Sequence, residues 1–172
     1  MKLETLQNHG INNNDGPPIA YILVGLPGSG KSTWIKNNVD SSFSIISTDN
    51  IIEKIAKQQN KTYSEVFNDN IKYATQQMNH DLDLAIKQGK NIVWDQTNLS
   101  AKKRASILNR IPKNYKKICV LFDVPLPVLY DRLYKRGNET GKYIPNKVIG
   151  DMLKTYQEPD LSEGFDDIIK IG

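Results

Sequence analysis

Residues 25–32, Gly25-Leu26-Pro27-Gly28-Ser29-Gly30-Lys31-Ser32, decide how the rest of the chain is read. The stretch fits G-x-x-x-x-G-K-[ST], and its flanks are those the pattern needs: the apolar run 19–24 reads as a strand and residues 31–39 as a helix. Glycines at 25, 28 and 30 let the backbone turn tightly, so successive N–H groups and the helix N-terminus aim at one point and favour a polyanion there. Lys31 is expected on the β- and γ-phosphates of a nucleotide, and the Ser32 hydroxyl on Mg²⁺. Pro27, Ser29 and Thr33 complete the expected cradle.

Outward from this loop, short apolar runs alternate with longer helical patterns. Residues 19–24, 43–46, 91–94, 118–122 and 168–171 read as strands; 31–39, 50–59, 64–88, 100–110, 126–136 and 145–156 read as helices. Strands separated by helices need crossover connections. The expectation is therefore an α/β fold of the P-loop NTPase kind, a parallel sheet of about five strands with helices on both faces. Residues 1–18 are polar and carry Asn12-Asn13-Asn14-Asp15-Gly16-Pro17-Pro18, so a flexible extension is expected there, with the domain spanning 19–172.

Bulk properties narrow the classes. The 172 residues suit one domain able to bury a core unaided. The only cysteine, Cys119, lies in an apolar run, which points to a buried thiol rather than a metal ligand or nucleophile. No segment approaches the roughly 18 consecutive apolar residues of a membrane span, and the N-terminal stretch has no apolar core of signal type. A soluble, cytoplasmic protein without membrane association is expected. The net charge of +4 is unevenly spread: Lys102, Lys103, Arg104, Arg110, Lys113, Lys116 and Lys117 lie in a stretch without acidic residues. That run reads either as a phosphate-tracking surface or as a solvated helix face with a basic loop.

Three further stretches bear on chemistry. Ser47-Thr48-Asp49-Asn50 follows the second strand, whose carboxyl end is where an open parallel sheet places ligand groups. Asp95-Gln96-Thr97-Asn98 ends the third strand in polar side chains, and Asp95 reads equally as a chain-turning Asx residue or as a group near Mg²⁺ or the acceptor. Arg132 and Arg136, four apart on one helix face, precede a loop at 137–142 flexible enough to close. Cradle, metal, mobile cations and an acceptor-positioning carboxylate are the parts of phosphoryl transfer, so the set reads as a kinase. Asn50, with Glu53 three residues later, is the expected N-cap of the second helix, which leaves Asp49 free to face the cradle. Trp94, Tyr63 and Tyr143 are candidates for stacking on a base, although packing is the commoner fate of an aromatic side chain.

At these positions the chain resembles the P-loop polynucleotide kinases, which phosphorylate 5′-hydroxyl ends. Gly25 to Trp34, the Ile46 to Asn50 segment, Thr97-Asn98-Leu99, Phe122-Asp123-Val124-Pro125 and Lys135-Arg136-Gly137 followed by Pro145 are similar in order and spacing, over residues 20 to 157. The resemblance implies ATP and Mg²⁺ at Lys31 and Ser32, Asp49 as general base, Arg132 and Arg136 as lid arginines within 132–145, and nucleic-acid 5′-OH ends as the acceptor. Asp95, Thr97 and Asn98 fall where it implies acceptor contacts. Two departures are visible: Ile52 stands where the phage kinase carries an arginine, and Asp95 is shifted by one residue. The Asp-Gln-Thr-Asn form is also similar to the P-loop segment of heterogeneous nuclear ribonucleoprotein U, which lacks the aspartate found here at 49. A small-metabolite kinase and a non-catalytic nucleotide- or RNA-binding module therefore stand as alternatives.

Overall fold

A computed structural model describes residues 16–172; the expected extension over 1–18 falls almost wholly outside them. Five strands, β1 (Ile19–Val24), β2 (Ser44–Ile46), β3 (Ile92–Trp94), β4 (Lys116–Phe122) and β5 (Asp167–Ile171), form one parallel sheet in the order β2-β3-β1-β4-β5. Six helices connect them: α1 (Lys31–Asn38), α2 (Thr48–Gln58), α3 (Tyr63–Lys87), α4 (Ala101–Arg110), α5 (Leu126–Thr140) and α6 (Asn146–Thr155).

All six side chains of β1 are buried, as a strand covered on both faces requires. Their alternation divides the core. Ala20, Ile22 and Val24 join Met78, Leu82 and Ala85 of α3 and Ile107 of α4 on one face. Tyr21 and Leu23 join Trp34 of α1, Phe43 and Phe122 on the other. Cys119 is fully buried and its thiol is pushed up to about 12 by burial, so the expected inert core thiol is found. Two smaller clusters hold the flanking helices: Ile52 and Ala56 of α2 against Val66 and Ala74 of α3, and Leu129 and Leu133 of α5 against Ile149 of α6.

The register sets the site. Ile22 pairs with Trp94 and Trp94 with Ile46, so β3 and β2 end at one level and β1 runs two residues further, to Val24. The loops that leave them are tied together: Asp95 N–H donates to Ile46 O at 2.8 Å and Gly25 N–H to Thr97 O at 3.1 Å. Three sequence-distant stretches, at 25, 47 and 95, thereby meet at the carboxyl edge of the sheet, with β1 in its centre.

Two local expectations are corrected. The cap of α2 is Ser47, whose Oγ accepts from Asn50 N–H at 3.2 Å; Asn50 itself is already helical, and Asp49 stands in the first turn. The helix begins two residues early because Ser47 has the extended backbone a cap needs. The expected loop at 137–142 is helical through Thr140, and only Gly141 (φ 72) breaks α5. Gly137, inside the helix, leaves room for the Tyr143 ring, whose Cδ1 would lie 2.6 Å from a Cβ at that position.

Candidate active site

The phosphate loop is shaped by positive backbone angles at Gly28 (φ 81) and Gly30 (φ 102), which only glycine adopts without strain. A Cβ on Gly25 would meet Ser29 Oγ at 2.6 Å and Phe122 Cβ at 2.9 Å. Lys31, the first residue of α1, turns back across the loop and donates from Nζ to Gly25 O at 2.7 Å and Leu26 O at 3.0 Å. Burial pushes its ammonium down to about 8, although the negative charges of Asp95 and Asp49 pull the other way. The half-buried Asp95 carboxyl is in turn held above its usual range by desolvation, with Lys31 opposing.

These groups open into a cleft of about 870 Å³, within the range of small-ligand sites. Pro27, Gly28, Gly30, Lys31, Ser32 and Thr33 line its donor side; Asp49, Asp95, Thr97, Arg132 and Arg136 face the same space. Gly25 and Ser29 sit beneath the loop rather than on the wall. Arg132 donates from Nη1 to Gly28 O at 3.1 Å, which brings α5 down onto the cradle. Arg136, on the cleft wall, has its Nε without a hydrogen-bond partner, which suits an anion with acceptor oxygens; Ser29 Oγ, also without a partner, lies under the loop.

Asn98, expected at the acceptor, is placed elsewhere. It is buried at φ 50 under the loop and donates from Nδ2 to Leu23 O at 2.8 Å. Trp94 is a core residue, with Nε1 bonded to Gln96 Oε1 at 3.0 Å and the Arg110 guanidinium 5.7 Å above its ring. Ile52 is fully buried against α3 and does not face the cleft. The basic run does not make one surface: Arg104 lies inside, its guanidinium on Glu163 at 2.8 and 3.1 Å and on the carbonyls of Asn98, Leu99 and Gln157. Arg110 pairs with Asn79 and Asp83.

Three residues with a place at the site were missed or misread in the sequence. Lys142 reaches from the α5–α6 connection to Asp49 Oδ2 at 3.2 Å and Glu53 Oε1 at 3.1 Å. Tyr63, read as a stacking candidate, donates its hydroxyl to Asp49 Oδ1 at 2.6 Å, and burial plus this bond raise its proton affinity well above the usual tyrosine range. It stands at the first position of α3, which a Thr62–Glu65 capping box fixes. Glu53, one turn after Asp49 on α2, is the third.

A parallel sheet in this order, with a phosphate loop leaving its central strand and lysine, arginines and carboxylates around one cleft, defines a P-loop kinase domain. A family model described as an AAA domain, AAA_33, matches residues 21–159, and the chain belongs to this family of P-loop kinase domains. L-seryl-tRNA(Sec) kinase from Methanococcus maripaludis is 29% identical over 84% of this chain and 55% of its own length. Transcription factor bHLH140 of Arabidopsis thaliana is 27% identical over 88% of this chain and 16% of its own. The chain thus spans about half of the first of these curated relatives and a smaller part of the second. Among solved structures, one titled as the Pnkp1/Rnl/Hen1 RNA repair complex superposes with a TM-score of 0.63 and 25% identity, over 84% of this chain and 45% of that chain. A gluconokinase from Sinorhizobium meliloti superposes at 0.52 and 16% identity over 91% and 83%, a likeness of fold. Among the described residues no helix is long and apolar enough to cross a membrane.

Proposed function

We propose that the protein is an ATP-dependent 5′-hydroxyl polynucleotide kinase. The observation that carries the reading is that Asp49, Lys31 and the α5 arginines Arg132 and Arg136 line one cleft. The γ-phosphate of ATP lies against the loop N–H groups, Lys31 and the arginines, which follow its charge as it moves. The acceptor oxygen bonds to the γ-phosphorus, the bond from that phosphorus to the β,γ-bridging oxygen breaks with its electron pair left on ADP, and the hydroxyl proton passes to Asp49. Mg²⁺ fits the exposed Ser32 hydroxyl together with phosphate oxygens, where it would neutralise developing charge; among the described residues there is no carboxylate or histidine cluster that would hold it alone. The segment 132–145 acts as the lid, carrying both arginines and Lys142.

A relative named for phosphorylating a serine carried on tRNA and a fold neighbour in an RNA repair complex support an RNA-borne hydroxyl as acceptor. The reading predicts transfer of label from γ-labelled ATP to 5′-OH oligonucleotides, RNA or DNA. Oligonucleotides left unlabelled while ATP still binds would overturn it. One observation favours a small-metabolite acceptor instead: Arg104 is drawn into the core by Glu163 and Arg110 is paired with Asp83, which withdraws two of the seven basic residues at 101–117 from a phosphate-tracking surface. Labelling of a sugar or sugar acid in place of the oligonucleotide would select that reading. Transfer to neither, with ATP bound, would leave a nucleotide-binding module.

A further inference from the structure

The acceptor side of the cleft is closed by a lysine that the transfer reaction as described does not use. Lys142 is 8% exposed, yet its ammonium is held by two carboxylates from another part of the chain, Asp49 and Glu53, whose side chains are 50% and 52% exposed. It also stands 4.3 Å from the centre of the Tyr63 ring. The connection that bears it is pressed against the start of α3: a Cβ on Gly141 would collide with Thr62 Cγ2, and Ser64 Oγ donates to Gly141 O at 3.2 Å. Such a backbone approach fixes where the lysine stem begins, while its four methylenes leave the ammonium free to swing.

Two consequences follow from the charges. With Tyr63 on Oδ1 and Lys142 on Oδ2, both oxygens of Asp49 carry donors, so a hydroxyl arriving for deprotonation competes with a cation for the same oxygen. Asp49, Glu53 and Lys142 together sum to one negative charge, so an anionic acceptor is repelled unless the lysine turns toward it. A neutral acceptor offers the ammonium nothing to exchange for two carboxylates.

We propose that Lys142 is the specificity-determining residue of the acceptor site: it admits a hydroxyl acceptor that carries an anionic group beside the hydroxyl, and it leaves Asp49 when that anion takes it over. The proposal rests on the reading of Asp49 as the acceptor-side base, and in the polynucleotide reading the anion is the phosphate next to the 5′-terminal nucleoside. Selection arises from the exchange of one ion pair for another, with the freed Oδ2 then available to the hydroxyl.

The test compares wild type and Lys142→Met on adenosine 3′-phosphate and adenosine, both with a free 5′-OH. Loss of a hydrogen bond to a charged group should lower kcat/KM for the phosphorylated nucleoside by about ten- to a hundredfold. For adenosine kcat/KM should rise, because Oδ2 is freed. Lys142→Arg should keep the preference for the phosphorylated acceptor. Equal losses on both acceptors would overturn the inference, since a lysine that only props the lid serves both alike. D-gluconate and D-glucose form a second pair. Opposite-signed responses there, and no transfer to either nucleoside, would assign the anion to a carboxylate, keep the role of Lys142 and overturn the polynucleotide reading. If no acceptor is phosphorylated, calorimetric binding of adenosine 3′-phosphate decides: affinity weakened tenfold or more in Lys142→Met supports the inference, and equal affinity ends it.

Discussion

Along the phosphate loop, backbone does the positioning: Gly28 and Gly30 bend it, Gly25 clears room beneath it, and its groups come from nine consecutive residues, 25–33. The side proposed for the acceptor is built from side chains, with Asp49 and Glu53 on α2, Tyr63 at the start of α3 and Lys142 beyond α5 satisfying one another. The first is a fixed shape for an anion. The second is a set of ion pairs that can be traded, since the two carboxylates that hold the buried Lys142 ammonium are themselves half-exposed and are resolvated at less cost than buried ones. Specificity for the acceptor is therefore expected to change by single substitutions, whereas the donor site tolerates few.

The sharpest break of this contrast is Asp49→Asn. Loss of the proposed general base should reduce transfer by about 10² to 10⁴ while leaving ATP affinity close to wild type, measured by single-turnover transfer and by nucleotide titration. The fold should survive, because Ser47 and not residue 49 caps α2. Transfer near the wild-type rate would mean that Asp49 serves only to hold Lys142 and Tyr63.

The same contrast explains what could be read in the sequence. The P-loop, the strand order of burial and the parallel sheet were legible because each is written in contiguous residues: an apolar run, a glycine spacing, a helical period. Arg132, Arg136 and Asp49 were legible by their place next to such runs. Lys142 was not, because its partners lie 93 and 89 residues earlier and nothing local marks a lysine as buried. Arg104 misled for the same reason: within a run of seven basic residues it has the composition of a surface, yet a single glutamate at 163 and three carbonyls draw it inside. The position of Asn98 is a further case, where a polar residue in a polar loop proves to brace Leu23 O under the cradle.

Arg104 extends the comparison to stability, since it ties the loop at 98–99 to the C-terminal segment behind the donor site. Arg104→Met leaves the Glu163 carboxylate and the carbonyls of Asn98, Leu99 and Gln157 without their donor. Breaking a buried pair from one side costs about 3 to 5 kcal/mol, so denaturant unfolding should lose that much. A loss under about 1 kcal/mol, the value of a surface pair, would show that solvent reaches Glu163 and replaces the guanidinium.

Lys31 gives the smallest and most graded effect. Its pKa falls from 10.5 to about 8 on folding because burial disfavours the charge. Below pH 8 the lysine is charged in both folded and unfolded chains, and the cost of burying that charge is present in full. Between pH 8 and 10.5 the folded protein has released a proton that the unfolded chain still holds, so the cost is progressively relieved and this contribution to stability rises with pH. Triphosphate oxygens beside Nζ reverse the preference and favour the ammonium. ATP binding above pH 8 must therefore draw a proton from solvent, and affinity should fall by up to about tenfold per pH unit. Calorimetry at pH 8.5 in two buffers of different ionisation heat measures the proton directly. Affinity that stays level from pH 7 to 9.5, with no proton taken up, would place the Lys31 ammonium in contact with water rather than beneath the loop.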